Sequence, residues 1–216
     1  MYHGKHIRKS KRPVALLASL VMLLAVAVVG TAAFLTTSKG PVTNTFTPAH
    51  VPNKVVEDFN GSTKSNVAIK NEGDVPAYIR VALVATWVKE NGQGGYDVYG
   101  EQPVPGTDYT VSPAQPTNGW AKSGDYYYYT AKVPAKDQDD STDKEYTGVL
   151  FSEIKPLADA TTGKTPNQPD GYSLSIEILS QSIQADGTDE KGNKPIELAW
   201  GVDIVDGNVV AASIEQ

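Results

Sequence analysis

The sequence predicts an all-β fold, an antiparallel, Ig-like β-sandwich preceded by a hydrophobic N-terminal helix. Three observations carry this prediction. The chain of 216 residues contains 19 Gly, 14 Pro and 11 Tyr, a composition typical of strands joined by loops. Its body alternates apolar and polar residues with a period of two, and clusters of turn-forming residues separate the runs. An uncharged apolar stretch at 14–35 precedes that body.

The strand prediction is clearest at residues 75–89, where the alternation is long. Because successive side chains of a strand point to opposite faces, one face of this run is predicted to line the core. The residues assigned to that face are Ile79, Val81, Leu83, Ala85 and Trp87. A helix is the rival interpretation, which the β-branched residues disfavour. The other predicted strands are 43–47, 54–59, 64–70, 109–112, 126–129, 146–154, 172–185 and 199–205.

Residues 1–32 are predicted to be a signal peptide. Lys and Arg side chains precede the apolar stretch, and a basic flank keeps the N-terminus in the cytoplasm while the rest crosses the membrane. Gly30 and Ala32 fit the small-residue positions of a signal-peptidase site, so cleavage is placed between Ala32 and Ala33. Because the apolar stretch is also long enough to span a bilayer, a retained signal anchor is the alternative.

The composition excludes several classes of function. The formal net charge is −6 and becomes more negative without the basic signal, so the exported part would repel nucleic acid. The absence of Cys excludes disulfides and thiolate chemistry. Of three His, only His50 follows the signal, and neither the HExxH nor the G-x-S-x-G pattern occurs. The sequence therefore predicts a protein that is not an enzyme and needs no cofactor.

An acidic loop is a weak candidate for calcium binding. Its carboxylates belong to Asp137, Asp139, Asp140, Asp143 and Glu145. Hard oxygen ligands at alternating positions suit Ca²⁺, but Thr142 stands where an EF-hand requires Gly. A solvated acidic loop is the favoured interpretation.

A run of four tyrosines is a candidate aromatic surface for adhesion or sugar stacking. The run consists of Tyr126, Tyr127, Tyr128 and Tyr129. On a strand, alternate rings share a face, so the competing interpretation is that one pair lines the core while the other covers the sheet.

The junction Gly30-Thr31-Ala32-Ala33-Phe34 resembles the cleavage region of SipW-type signals in the TasA and camelysin group of Gram-positive exported proteins. Segments 44–51, 64–87, 170–187 and 199–202 resemble a branch of the same group. The resemblance implies cleavage by a dedicated type I signal peptidase and a jelly-roll-like sandwich. It also implies a secreted, cell-surface or extracellular-matrix protein that is tethered to the membrane only through its uncleaved N-terminal segment.

The resemblance further implies self-association by strand donation. Three parts follow: the signal at 1–32, an extended candidate donor segment at 33–50, and a β-sandwich domain at 51–216. The apolar anchors of the donor are Phe34, Leu35, Val42 and Phe46. An unpaired sheet edge accepts an extended strand through main-chain hydrogen bonds, and head-to-tail donation propagates as a filament.

The predicted function is therefore that of an exported structural protein that polymerises into matrix or surface fibres. A monomeric surface module for binding or adhesion is the alternative. The peptidase activity that the name camelysin implies is less favoured, because no residues here match a metal-ligand pattern.

Overall fold

The computed structural model describes residues 48–114, 117–136 and 144–214. Over these ranges the chain forms antiparallel sheets with one short helix, which confirms the all-β prediction. The signal peptide, its cleavage site and the four donor anchors lie outside the described residues.

The described chain contains eleven strands and one helix, α1 (Pro195–Trp200), which lies between β9 and β10. In chain order the strands are β1 (Asn53–Phe59), β2 (Lys64–Asn71), β3 (Ala77–Glu90), β4 (Tyr96–Val98), β5 (Tyr109–Pro113), β6 (Trp120–Ser123), β7 (Tyr126–Tyr129), β8 (Phe151–Pro156), β9 (Ser173–Gln184), β10 (Val202–Val205) and β11 (Asn208–Ala211).

Two larger sheets and one hairpin organise these strands. The four-stranded sheet has the order β1-β2-β8-β5, and β10 pairs with β11 as a separate hairpin. The five-stranded sheet is built around β3, which pairs with β9 along one side over its register from Ala77↔Gln184 to Val88↔Ser173. On its other side β3 pairs first with β7 and then with β4, and β6 extends the sheet beyond β7.

The two larger sheets share one hydrophobic core. Ile69 of β2 and Ile79 of β3 are both fully buried within it. The rings of Tyr127 and Phe151 meet edge to face across the core with centroids 5.1 Å apart, which ties β7 to β8. Packing of this kind between two antiparallel sheets gives the molecule a sandwich-like character.

The core face predicted for β3 is confirmed. Four of its five assigned residues are buried and Leu83 is half-buried against the core. The buried ones are Ile79, Val81, Ala85 and Trp87. The alternation along this strand therefore reports its two faces correctly.

The single strand predicted at 199–205 is wrong at its start, because α1 occupies the first part and β10 the second. Pro195 stands in the first turn of α1, where its fixed φ suits a helix. Gly201 ends the helix with φ 67°, and its N–H bonds to the Glu197 carbonyl at 2.9 Å. A proline at the start and a glycine at the end were the sequence signals for this helix.

The strand predicted at 146–154 begins later, since β8 starts at Phe151. The preceding segment still follows β2, as the Leu150 N–H bonds to the Val67 carbonyl at 2.7 Å. A Cβ at Gly148 would lie 2.3 Å from the Asn118 carbonyl oxygen. This close passage over a neighbouring loop needs glycine and delays regular pairing.

Candidate functional site

Strand β9 has one paired side and one side that is largely open. Only the end of the open side is used: the Val51 N–H bonds to the Ser182 carbonyl at 3.2 Å, and the Gln184 N–H bonds to the Ala49 carbonyl at 3.0 Å. Across 173–180, no other segment of the described chain pairs with this side. The open stretch is therefore a free sheet edge within the part of the molecule that the structure describes.

Alternation identifies which backbone groups line this edge. In an antiparallel ladder every second residue directs its N–H and C=O to the same neighbour. Ser182 and Gln184 direct theirs outward, so Leu174, Ile176 and Ile178 do the same. Their backbone donors and acceptors form a template for another strand.

A groove of about 280 Å³, lined by both apolar and polar side chains, runs beside this edge. It lies between β9 and the hairpin that joins β1 to β2, and Phe59 at its rim is 61% exposed. Leu174 and Ile176 line it from β9, and the buried Ile154 lines it from β8. A strand added to this edge would form main-chain hydrogen bonds that supply affinity. Its alternate side chains would lie over Leu174, Ile176 and Ile154, and these contacts would supply selectivity.

The charges at the groove are already compensated. Lys64 Nζ lies 2.5 Å from Glu57 Oε1 and 5.2 Å from the centroid of the Phe59 ring. The ammonium therefore has a carboxylate partner and an aromatic face. The ammonium of Lys64 is therefore satisfied, whereas Glu57 Oε2 is buried with no hydrogen-bond partner among the described residues.

This edge carries few of the devices that usually protect exposed strands. Native proteins blunt such edges with prolines, charges, bulges or a covering loop. Residues 174–180 contain no Pro and a single charged residue, Glu177. Leu174, Ile176 and Ile178 give the stretch an apolar core face, and it is regularly paired to β3, as a docking edge needs to be.

A second unpaired stretch, on the opposite side of β3 from β9, is protected by a covering loop that contains prolines. Between the ends of β7 and β4, no described strand pairs with Leu83 and Ala85. A cavity of about 560 Å³ lies there, lined in part by Pro103, Pro105 and Tyr109. Prolines lack the N–H that a ladder needs, so this loop covers the gap without completing the sheet.

A buried carboxylate holds that proline-rich loop in place. Asp108 is fully buried and accepts hydrogen bonds from the backbone N–H of Val104 at 2.7 Å and of Asn167 at 2.9 Å. Burial alone would raise the pKa of Asp108, but these donors hold it below its ordinary value. Asp108 is therefore an ionised anchor that joins two loops.

The four tyrosines of β7 pack on both faces of the sheet. Tyr127 contacts Phe151 in the core, and the Tyr129 and Trp120 rings are 5.3 Å apart. Tyr128 is 4% exposed on the outer face. None of the four is an exposed ring.

The outer pair lies under residues from distant parts of the chain. The Arg80 guanidinium lies 4.1 Å from the Tyr126 ring centroid and 4.6 Å from that of Trp200. Tyr128 and Trp200 meet edge to face at 5.9 Å. This stack of a cation between two rings attaches α1 to the five-stranded sheet.

Of the acidic calcium candidates, Asp137, Asp139, Asp140 and Asp143 lie outside the described residues. Glu145 is described, and its carboxylate lies 3.6 Å from Lys70 Nζ. The Tyr146 hydroxyl and Glu145 raise the pKa of Lys70. Over 48–114, 117–136 and 144–214, no group of three His, Asp or Glu is placed to hold a metal ion.

His50 is exposed and forms an isolated bridge with Ile183, at the end of β9 where residues 49–51 already pair with it.

The described ranges contain no helix with the length and apolarity needed to cross a bilayer. Comparison of the chain with protein-family models, with curated proteins and with solved structures finds no match in any of the three.

Proposed function

We propose that this chain is an exported structural protein of the cell surface or extracellular matrix, with a jelly-roll-like sandwich, whose copies join by donating a strand to the open edge of β9. The observation that carries the proposal is that the groove lined by Leu174 and Ile176 lies beside a stretch of β9 whose outward backbone groups have no partner among the described residues. The resemblance of the N-terminal junction to SipW-type signals supports export. An edge of this kind binds an extended segment through main-chain hydrogen bonds.

The direction of the chain favours donation by a second copy. Residues 49–51 run antiparallel to β9 at its C-terminal end. Traced toward the N-terminus, residues 51 to 49 therefore run toward Gln184 and away from Leu174, and these two residues of β9 lie roughly 33 Å apart at about 3.3 Å per residue. To reach Leu174, the same chain would have to turn back past its own residues at 49–53. A second copy meets no such obstacle.

The donor segment at 33–46 has the chemistry that the groove accepts. Val42 and Phe46 are four residues apart, so on a strand their side chains share a face. That face would cover Leu174 and Ile176 while the donor backbone pairs with β9. Because each copy donates and accepts at different sites, the contact is head to tail and does not close.

Deleting residues 33–43 from the full chain tests this proposal directly. The variant is expected to be secreted and folded but to form no fibres, because it keeps the acceptor edge and loses most of the donor, including the anchors Phe34, Leu35 and Val42. Electron microscopy of the culture medium and size-exclusion chromatography measure fibre content. Undiminished fibres from the variant would refute strand donation by this segment.

Replacing Ala32 with Trp tests the export step. Signal peptidase requires a small residue before the scissile bond, so Ala32→Trp is expected to leave an uncut precursor in the membrane fraction. N-terminal sequencing of the secreted wild-type chain is expected to begin at Ala33. Normal secretion of the variant would show that cleavage occurs elsewhere.

A further inference from the structure

The outer face of the five-stranded sheet is divided into two halves. At one end, Trp200 of α1 lies over Arg80 and packs against Tyr128. At the other end, where β4, β3 and the start of β9 lie side by side, an open groove of about 900 Å³ remains. No described element covers this second half.

The register of the strands places the groove's side chains in rows. Val88 is paired with both Val98 and Ser173, and the next rows along β3 are Thr86 with Ser175 and Val84 with Glu177. Paired residues in a sheet share a face, so these side chains all stand on the outer face. Glu90 and Tyr96 form the last row in the other direction.

The groove combines an exposed aromatic ring with polar groups. Tyr96 is 61% exposed and Val98 is 63% exposed, which is unusual for large apolar side chains on a sheet. Between them and Glu177 stand three hydroxyl groups. These belong to Thr86, Ser173 and Ser175.

The polar groups of the groove have no partner in the described chain. Among the described residues, no side-chain hydrogen bond or ion pair is found for the three hydroxyls or for the carboxylates of Glu90 and Glu177. The basic residue of the lining, Lys89, places its ammonium 6.0 Å from the Tyr172 ring centroid. The groove thus holds two carboxylates against one ammonium, together with three hydroxyl groups that can accept hydrogen bonds.

We propose that this groove binds a glycan that carries free amino groups, as a polymer of glucosamine does. A sugar ring places its C–H face on Tyr96, its hydroxyls bond to the hydroxyl row, and its ammonium groups pair with Glu90 and Glu177. Charge complementarity selects this class, because the same two carboxylates repel a uronic-acid chain. The site lies on the face of the sheet, whereas strand donation uses the in-plane edge of β9, so the two activities are separable.

The test uses the full, uncleaved chain in a non-ionic detergent, and the probe is a hexamer of glucosamine. Calorimetric titration is expected to detect binding that weakens as salt rises, because ion pairs carry part of the affinity. A fully N-acetylated hexamer is expected to bind more weakly, and a polygalacturonate oligomer not to bind. Since the uncleaved chain keeps its donor attached to the signal, failure here is distinguishable from failure of fibre assembly.

Matched variants locate the site. Tyr96→Ala is expected to weaken binding roughly tenfold, and Tyr96→Phe to retain it because the ring remains. The double variant Glu90→Gln with Glu177→Gln is expected to lose the salt dependence. Glu190→Gln, in an exposed loop, is the control and is expected to bind as the wild type does. Absence of binding by the wild type, unchanged binding by Tyr96→Ala, or preference for the uronic-acid chain would each overturn the proposal.

Discussion

Ile176→Pro is expected to abolish fibre formation while leaving the subunit folded. Ile176 directs its backbone N–H to the open side of β9, so proline removes a donor that no described residue uses. Proline is tolerated on edge strands when the lost N–H faces away from the sheet. A donated strand, however, would lose a central hydrogen bond and meet the proline ring. Electron microscopy of the secreted chain measures the loss of fibres.

Two controls separate the backbone effect from the side-chain effect. Ile176→Ala keeps the edge N–H and is expected to retain fibres, although the groove is less apolar. Ser175→Pro removes an N–H that bonds to β3, and is expected to destabilise the subunit itself by about 3 kcal/mol. Circular dichroism and urea unfolding establish which variants are folded. Fibres of normal abundance from Ile176→Pro would exclude this edge as the acceptor.

Trp87→Ala is expected to lower the free energy of unfolding by about 3–5 kcal/mol. Trp87 is 1% exposed and lies on the core face of β3, so truncation removes buried apolar surface and leaves a cavity. Such a loss is a large part of the stability of a typical domain. Urea denaturation followed by circular dichroism measures the shift in midpoint.

The neighbouring residue supplies the control for that variant. Val88 stands on the opposite face and is half-buried, so Val88→Ala is expected to cost less than about 1 kcal/mol. A near-neutral Trp87→Ala would contradict the assignment of the core face. If Trp87→Ala and Val88→Ala lowered the free energy of unfolding equally, the side of β3 on which a residue stands would not determine its contribution to stability.

The two proposed surfaces have a joint consequence. Each copy in a fibre would carry one glycan groove on its sheet face while its β9 edge holds a neighbour's strand. Many weak sites on one filament bind a polymeric ligand far more tightly than a single site does. Fibres would then attach to a glycan layer without any strong individual contact.

The period-two pattern determined the long strands and the two faces of β3, because alternation is a local property of an extended backbone. The same pattern separated Tyr127 and Tyr129 from Tyr126 and Tyr128. It could not show that Arg80 and Trp200 cover the outer pair, since that contact joins residues far apart in the chain. For the same reason, local patterning did not distinguish an aromatic surface from an aromatic core.

Strand pairing is the part that only the tertiary structure decided. The sequence marked 172–185 as a strand with an apolar face, but which of its sides is paired depends on residues distant in the chain. Tyr96 was missed because it lies in a glycine-rich stretch, and its short strand is defined only by pairing with Glu90. Composition and alternation are local properties that can be read from the sequence. An open sheet edge and an uncovered sheet face depend on which strands lie beside them, so only the tertiary structure defines them.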